Sequence, residues 1–106
     1  MKLLLDENLP HDRRHEFAGH DVFTVKFMGW SNRRNGDLLR DAASTGFDAM
    51  ITMDNGVPYQ QNIGTLQIAV VGVEAKTNRL VDLLPLMPAL IRALAQVKPG
   101  KVIRVA

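Results

Sequence analysis

Short apolar runs alternate with longer amphipathic stretches along the 106 residues of this chain. The run QIAVVGV is continuously apolar, which is typical of a strand covered on both faces. Strand and helix signals alternate, and this order predicts an α/β fold with a mainly parallel sheet. Five runs are predicted as strands: 2–5, 21–25, 49–52, 67–73 and 101–105.

Helices are predicted between the first strands. Pro10 is well placed at a helix start, and Gly19 and Gly46 are well placed at helix ends. Phe17, and then Leu38 with its neighbours, supply one-sided apolar faces. These helices are expected to cover the faces of the sheet.

The C-terminal third holds the segment RLVDLLPLMPALIRALAQV. Asn78 is predicted to cap a helix at its start, and Pro85 and Pro88 are predicted to break it into a short piece and a longer one starting near Pro85. Its Leu and Met side chains are expected mainly in the core. The remainder could serve a homodimer interface.

Length and composition indicate a single domain spanning residues 1–106. The chain has no cysteine, which excludes disulfides and fits a reducing cytoplasm. It has no run of about 18 apolar residues, so no membrane span is predicted. The net charge of +2 is only a weak signal for a polyanionic partner.

Carboxylates follow the predicted strands. Asp6 and Glu7 come directly after the first strand, Asp54 follows the third, and Asp37 opens the second helix. The carboxyl ends of parallel strands gather ligands in an open sheet. Because unshielded carboxylates repel one another, a hard cation such as Mg²⁺ or Mn²⁺, bound through oxygen alone, would hold them together.

Each acid also has a purely structural interpretation. Asp37 is well placed as an N-cap or first-turn acid. Asp54 begins the ordinary turn signal Asp-Asn-Gly, and Glu7 could simply be solvated. The metal site and the structural interpretation both remain open on these residues alone.

The segments KLLLDENLP, GHDVFTV, GDLLRDAA and MITMDNG, in that order over residues 1 to about 75, resemble the small bacterial PIN-like domains related to VapC-type toxin nucleases. The resemblance implies a three-layer α/β/α sandwich in which Asp6, Asp37 and Asp54 bind Mg²⁺ or Mn²⁺ and Glu7 is a further catalytic acid. It also implies cleavage of RNA phosphodiesters by a metal-activated water, a role as the toxin of a toxin–antitoxin pair, and an antitoxin protein as partner.

Two adjacent positions depart from the family pattern. Family members commonly carry a second acid two residues beyond the position of Asp54, followed by an aromatic residue, whereas Gly56 and Val57 stand here. The loss of one carboxylate predicts weaker binding of a second metal ion or of a catalytic water. A catalytically inactive relative that binds a partner protein is therefore an alternative.

Basic and aromatic residues complete the RNA hypothesis. Cationic side chains are expected to hold the phosphates that flank the cleaved bond, and an aromatic ring is expected to stack on a base. A solvated basic face and a tryptophan packed within its loop are the structural alternatives. The candidates are Arg13, Arg14, Lys26, Arg33 and Arg34 for phosphates and Trp30 for stacking.

A two-component receiver domain is an alternative of another class. Two acids after the first strand, Asp54 after the third and Pro58 four residues later resemble the phosphoacceptor pattern, in which Asp54 would be phosphorylated. The later strands should then end in Thr or Ser and in Lys. The run VVGVEAK offers Glu74 and a displaced Lys76 instead.

Zinc is the remaining alternative. His11 and His15 are four residues apart on a predicted helix. The run HEFAGH has one residue more than the His-Glu-x-x-His pattern of metalloproteases, and a third ligand is not evident. Surface histidines are therefore the preferred interpretation.

Overall fold

The computed structural model describes residues 1–54 and 63–106. Within these residues the strands form one five-stranded sheet in which every pairing is parallel. The strands are β1 (Lys2–Leu5), β2 (Asp21–Thr24), β3 (Ala49–Thr52), β4 (Ala69–Val73) and β5 (Val102–Val105). Their spatial order is β2-β1-β3-β4-β5. The predicted strands are confirmed to within two residues at each end.

The helices of the described part are α1 (Asn35–Ser44), α2 (Leu80–Leu83) and α3 (Met87–Leu94). Two 3-10 helices, His11–Glu16 and Leu84–Leu86, complete the set. The connection from β1 to β2 is therefore a tight 3-10 helix and not the α-helix that the sequence suggests. The N-cap of this 3-10 helix is Pro10, and its C-cap is the buried Phe17.

The core lies on both faces of the sheet, because successive side chains of a strand point in opposite directions. In β1, Leu3 and Leu5 pack on one face and Leu4 packs on the other, and all three are fully buried. Burying each such side chain contributes roughly 1.5–3 kcal/mol. The central strands therefore have apolar neighbours on both sides.

Each face is covered by a helix. Helix α1 contributes Leu38 and Leu39 to the cluster that contains Leu4. Helix α3 contributes Leu90 and Leu94 to the cluster that contains Leu3 and Leu5. The molecule is thus an α/β/α sandwich, as predicted.

The C-terminal helical segment differs in detail from the prediction. Arg79 is the N-cap of α2, and no side chain caps that helix, so the predicted cap at Asn78 is wrong. The Asn78 amide instead donates to the Asn8 carbonyl oxygen at 3.0 Å. Pro88 does not break the longer helix. It lies in the first turn of α3, where a missing N–H costs nothing.

No helix in residues 1–54 and 63–106 has the length and apolar character that a membrane crossing requires.

Candidate functional site

The strand order defines where a ligand site is expected. In a doubly wound sheet with the order 2-1-3-4-5, ligands bind outside the carboxyl ends of β1 and β3, where the direction of the strand order reverses. β1 and β3 are hydrogen-bonded neighbours. Asp6 follows β1 directly and Asp54 follows β3 after one residue, so two of the predicted acids flank this point.

The Asp6 carboxylate is buried and held by hydrogen bonds. Asp6 is only 7% exposed. Its Oδ2 accepts from the Thr52 hydroxyl at 2.7 Å, and its Oδ1 accepts from the Glu7 backbone N–H at 2.8 Å. Bonds of this kind, made to an ionised acceptor, are stronger than those between neutral groups. The orientation of the Asp6 side chain is therefore fixed.

Thr52 is the centre of this network. Besides donating to Asp6, its Oγ1 accepts from the Asn8 side-chain amide at 3.2 Å and from the Asp54 backbone N–H at 3.1 Å. A hydroxyl has one proton and two lone pairs, so these three bonds use its full capacity. Asn8 in turn accepts from the Met53 N–H at 3.1 Å. Thr52 thus joins the ends of β1 and β3.

Thr52 and Asn8 are functional candidates that the sequence argument missed. Their positions in the sequence could have indicated them, because both are polar residues that follow or end an apolar strand at its carboxyl end. A polar side chain that is buried needs a hydrogen-bond partner, and a nearby carboxylate is the obvious acceptor for Thr52.

The Glu7 side chain has a different hydrogen-bond partner from that of the Asp6 side chain. Its Oε1 accepts from the Asn32 backbone N–H at 2.6 Å. Asn32 has a φ of 67°, a left-handed conformation that asparagine tolerates better than most residues. Glu7 therefore anchors the loop between β2 and α1 to the end of β1.

A cleft of about 280 Å³ opens beside Asp6. It runs between the segments that follow β1 and β2, so its wall combines acidic, basic and apolar groups. The lining residues are Asp6, Glu7, Leu9, Pro10, His11, Thr24, Val25, Lys26 and Ser31.

Asp37 makes its contacts on the surface of α1 and not within this network. It is in the first turn of α1, where its Oδ1 accepts from Arg40 Nη2 at 3.0 Å, and its side chain is 57% exposed. No group of three or more His, Asp or Glu side chains in residues 1–54 and 63–106 is arranged to hold a metal ion. A shared site for Asp6, Asp37 and Asp54 remains a prediction.

The two histidines of the zinc alternative have separate partners. They lie on a 3-10 helix, which has three residues per turn, so positions four apart do not share a face. His11 Nδ1 lies 3.0 Å from Thr24 Oγ1, and His15 Nε2 lies 2.8 Å from Arg14 Nη1.

The candidate phosphate-binding residues differ in their surroundings. Arg13 donates from Nε to the Asn78 carbonyl oxygen at 3.1 Å. Arg34 is exposed at the N-cap of α1. Lys26 is exposed and lines the cleft beside Asp6.

Trp30, the candidate stacking residue, is half-buried. Its ring packs edge-on against Phe47 with centroids 6.0 Å apart. The Arg33 guanidinium lies 5.2 Å from the Trp30 ring centroid and forms an ion pair with Asp41. The loop thus packs Trp30 between the core and a cation.

Gly56, Val57 and Pro58, on which the departure from the family pattern and part of the receiver pattern rest, lie outside the described residues. Comparison with known proteins found no matching family model, no matching curated protein and no matching solved structure.

Proposed function

We propose that this protein is a metal-dependent ribonuclease of the PIN-like kind. The observation that supports this most strongly is a buried, hydrogen-bonded carboxylate, Asp6, at the point of the sheet where ligand sites form. A buried charge is costly to a fold unless its surroundings compensate it. The cleft beside Asp6 is also bordered by the cation Lys26, which suits an anionic substrate.

The donor chemistry of the acids suits Mg²⁺ or Mn²⁺. Asp6, Asp54 and Asp37 would hold the ion in this proposal, with Glu7 nearby. All supply hard carboxylate oxygens, and a carboxylate oxygen that accepts a hydrogen bond can also bind a metal, since it has two lone pairs. When bound, the ion would supply an activated water and positive charge for the phosphate oxygens.

The work of the protein is positioning. Thr52 would hold the Asp6 carboxylate in one orientation, and Asn8 would hold Thr52 through its amide. Preorganised charges stabilise a transition state because they need no rearrangement during the reaction. The predicted phosphate-binding cations would position the RNA strand across this edge.

Because the sequence resembles toxin nucleases, the proposal includes a partner protein and a dimer. An antitoxin protein would be the partner that controls the nuclease, and a homodimer would be formed through the Leu-rich C-terminal helices. Residues Val81 and Leu84 of that segment are exposed apolar groups that such contacts would cover.

Cleavage of labelled single-stranded RNA with Mn²⁺, compared with EDTA, tests the proposal. Asp6→Asn and Asp37→Asn should each abolish cleavage, because residues that act as one unit do not contribute additively. Asp21→Asn is the matched control, since Asp21 is also an exposed aspartate but begins β2 at the amino ends of the strands, away from the site. If Asp37→Asn cleaves RNA as well as Asp21→Asn does, Asp37 is not a ligand.

Metal binding provides a readout that does not depend on turnover. Calorimetric titration with Mn²⁺ should show binding to the wild type and none to Asp6→Asn. Wild-type protein that neither binds Mn²⁺ nor cleaves RNA would leave the inactive binding module as the better description.

The strand order supports a receiver domain as the second candidate function. The order 2-1-3-4-5 is also that of flavodoxin and chemotaxis receiver folds. However, β4 is followed by Glu74 where a receiver would need Thr or Ser. Incubation with acetyl phosphate decides between them, because an acyl phosphate on Asp54 would end the nuclease proposal.

A further inference from the structure

Phe27 is an exposed aromatic residue beside the cleft. It is 67% exposed, although an aromatic ring of this size usually contributes to the core. Trp30, three residues later, is half-buried against Phe47. Of the two rings in this loop, Phe27 is therefore the one whose surface is available to a ligand.

Neighbouring residues hold the Phe27 ring in place. The Thr24 hydroxyl accepts from the Phe27 backbone N–H at 3.1 Å and also contacts His11 Nδ1 at 3.0 Å. The His11 ring lies nearly parallel to the Phe27 ring, with centroids 6.3 Å apart and an interplanar angle of 21°. Phe23 packs on Phe27 at 6.0 Å. An exposed ring fixed in this way loses little conformational entropy when a ligand binds.

This aromatic surface adjoins the cleft beside Asp6. A second concavity, of about 390 Å³, is lined by His11, Thr24, Lys26 and Phe27. The first three of these residues also line the cleft that contains Asp6. The two concavities are therefore neighbours, and Lys26 lies in the wall of both, between the Phe27 ring and the cleft of the buried carboxylate.

We infer that Phe27 and Lys26 form a subsite for single-stranded RNA, in which a nucleobase stacks on the Phe27 ring and Lys26 contacts a neighbouring phosphate. The inference rests on the proposed function, because it names how the substrate of that site is held. Aromatic stacking and a nearby cation are the usual combination for single-stranded nucleic acid. The lining residues that this subsite shares with the Asp6 cleft favour this occupant over a protein partner.

The test measures binding without cleavage. A fluorescently labelled ten-nucleotide oligouridylate is titrated with protein in EDTA, and anisotropy reports the Kd. Phe27→Ala should weaken binding about fivefold or more, whereas Phe27→Trp should restore it. Gln67→Ala is the matched control, because Gln67 is exposed and uncharged and precedes β4 at its amino end, on the edge of the sheet opposite the cleft.

A second measurement assigns the loss to stacking. Replacing single bases of the oligonucleotide by abasic residues in turn should weaken wild-type binding at one position and leave Phe27→Ala unaffected there. Lys26→Ala should reduce the slope of log K against log salt by about 0.7, the value for one phosphate contact to a single strand.

The outcomes separate the inference from the proposed function. If Phe27→Ala binds RNA as tightly as the wild type and Gln67→Ala, or if the wild type does not bind the oligonucleotide, the inference is overturned, whether or not Mn²⁺-dependent cleavage occurs. If Phe27→Ala binds more weakly but the wild type cleaves nothing, the subsite stands and the nuclease proposal fails.

Discussion

Asp6 and Asp37 are the same residue type in two different environments. Asp6 is 7% exposed and accepts hydrogen bonds from Thr52 and from the backbone of Glu7. Asp37 has a side chain that is 57% exposed and pairs with Arg40 on the surface of α1. The sequence places both in one predicted metal site, yet only Asp6 belongs to a buried network.

This difference shows that burial decides what a carboxylate contributes to the fold. A buried acceptor that loses its donor keeps the full cost of its desolvation. An exposed acid that loses its partner is simply hydrated, and exposed ion pairs contribute only about 0–1 kcal/mol. Stability measurements on the two regions should therefore diverge.

Thr52→Val is expected to have the largest effect. Valine has the same shape, but it removes the donor to Asp6 and the acceptor for Asn8 and for the Asp54 N–H. Leaving these groups without their partner should lower the free energy of unfolding by about 2–3 kcal/mol. Chemical denaturation with urea measures this loss.

Thr52→Ser is the control for Thr52→Val. Serine retains the hydroxyl and loses one buried methyl group, which should cost about 1 kcal/mol. If serine destabilises the protein as much as valine does, the packing of the methyl group, and not the hydrogen-bond network, holds the ends of β1 and β3 together.

Asp6→Asn should have the next largest effect, a loss of about 1–2 kcal/mol. The asparagine amide has one acceptor oxygen and one donor nitrogen, so it cannot accept from both Thr52 and the Glu7 N–H. One donor then faces another donor. Thermal unfolding without metal measures the change.

Repulsion among carboxylates at the sheet edge acts in the opposite direction. Removing one negative charge relieves that repulsion, and this is what the acids would lead one to expect from the sequence alone. A rise in the melting temperature of Asp6→Asn would mean that repulsion outweighs the hydrogen bonds.

The fold was predictable because its signals are local. Leu3, Leu4 and Leu5 mark a strand buried on both faces, and five short apolar runs along the sequence predict the five strands of the parallel sheet. The 3-10 helix at His11 was not predicted, since its sequence carries the same Pro10 start signal as an α-helix.

The candidate site was predictable only in part. Asp6 and Asp54 follow from the positions of the strand ends, whereas the partners of Asp6 do not. Thr52 is 46 residues from Asp6, and only the pairing of β1 with β3 brings them together. Phe27 was missed because an aromatic residue after a strand is usually core, and its exposure depends on how the loop turns.

Asp37→Asn should have the smallest effect on stability, a loss of about 0.5 kcal/mol. It removes one exposed ion pair and one acid from the first turn of α1, and each contributes a few tenths of a kcal/mol. Because salt screens exposed charges, this loss should nearly disappear in 1 M NaCl, whereas the loss caused by Thr52→Val should persist. A loss above about 2 kcal/mol would show that Asp37 takes part in more than a surface pair. If the loss of stability is small, Asp37→Asn is the most informative variant for activity. A loss of RNA cleavage in a variant that is still folded and stable would then be due to the chemistry of the site and not to the fold.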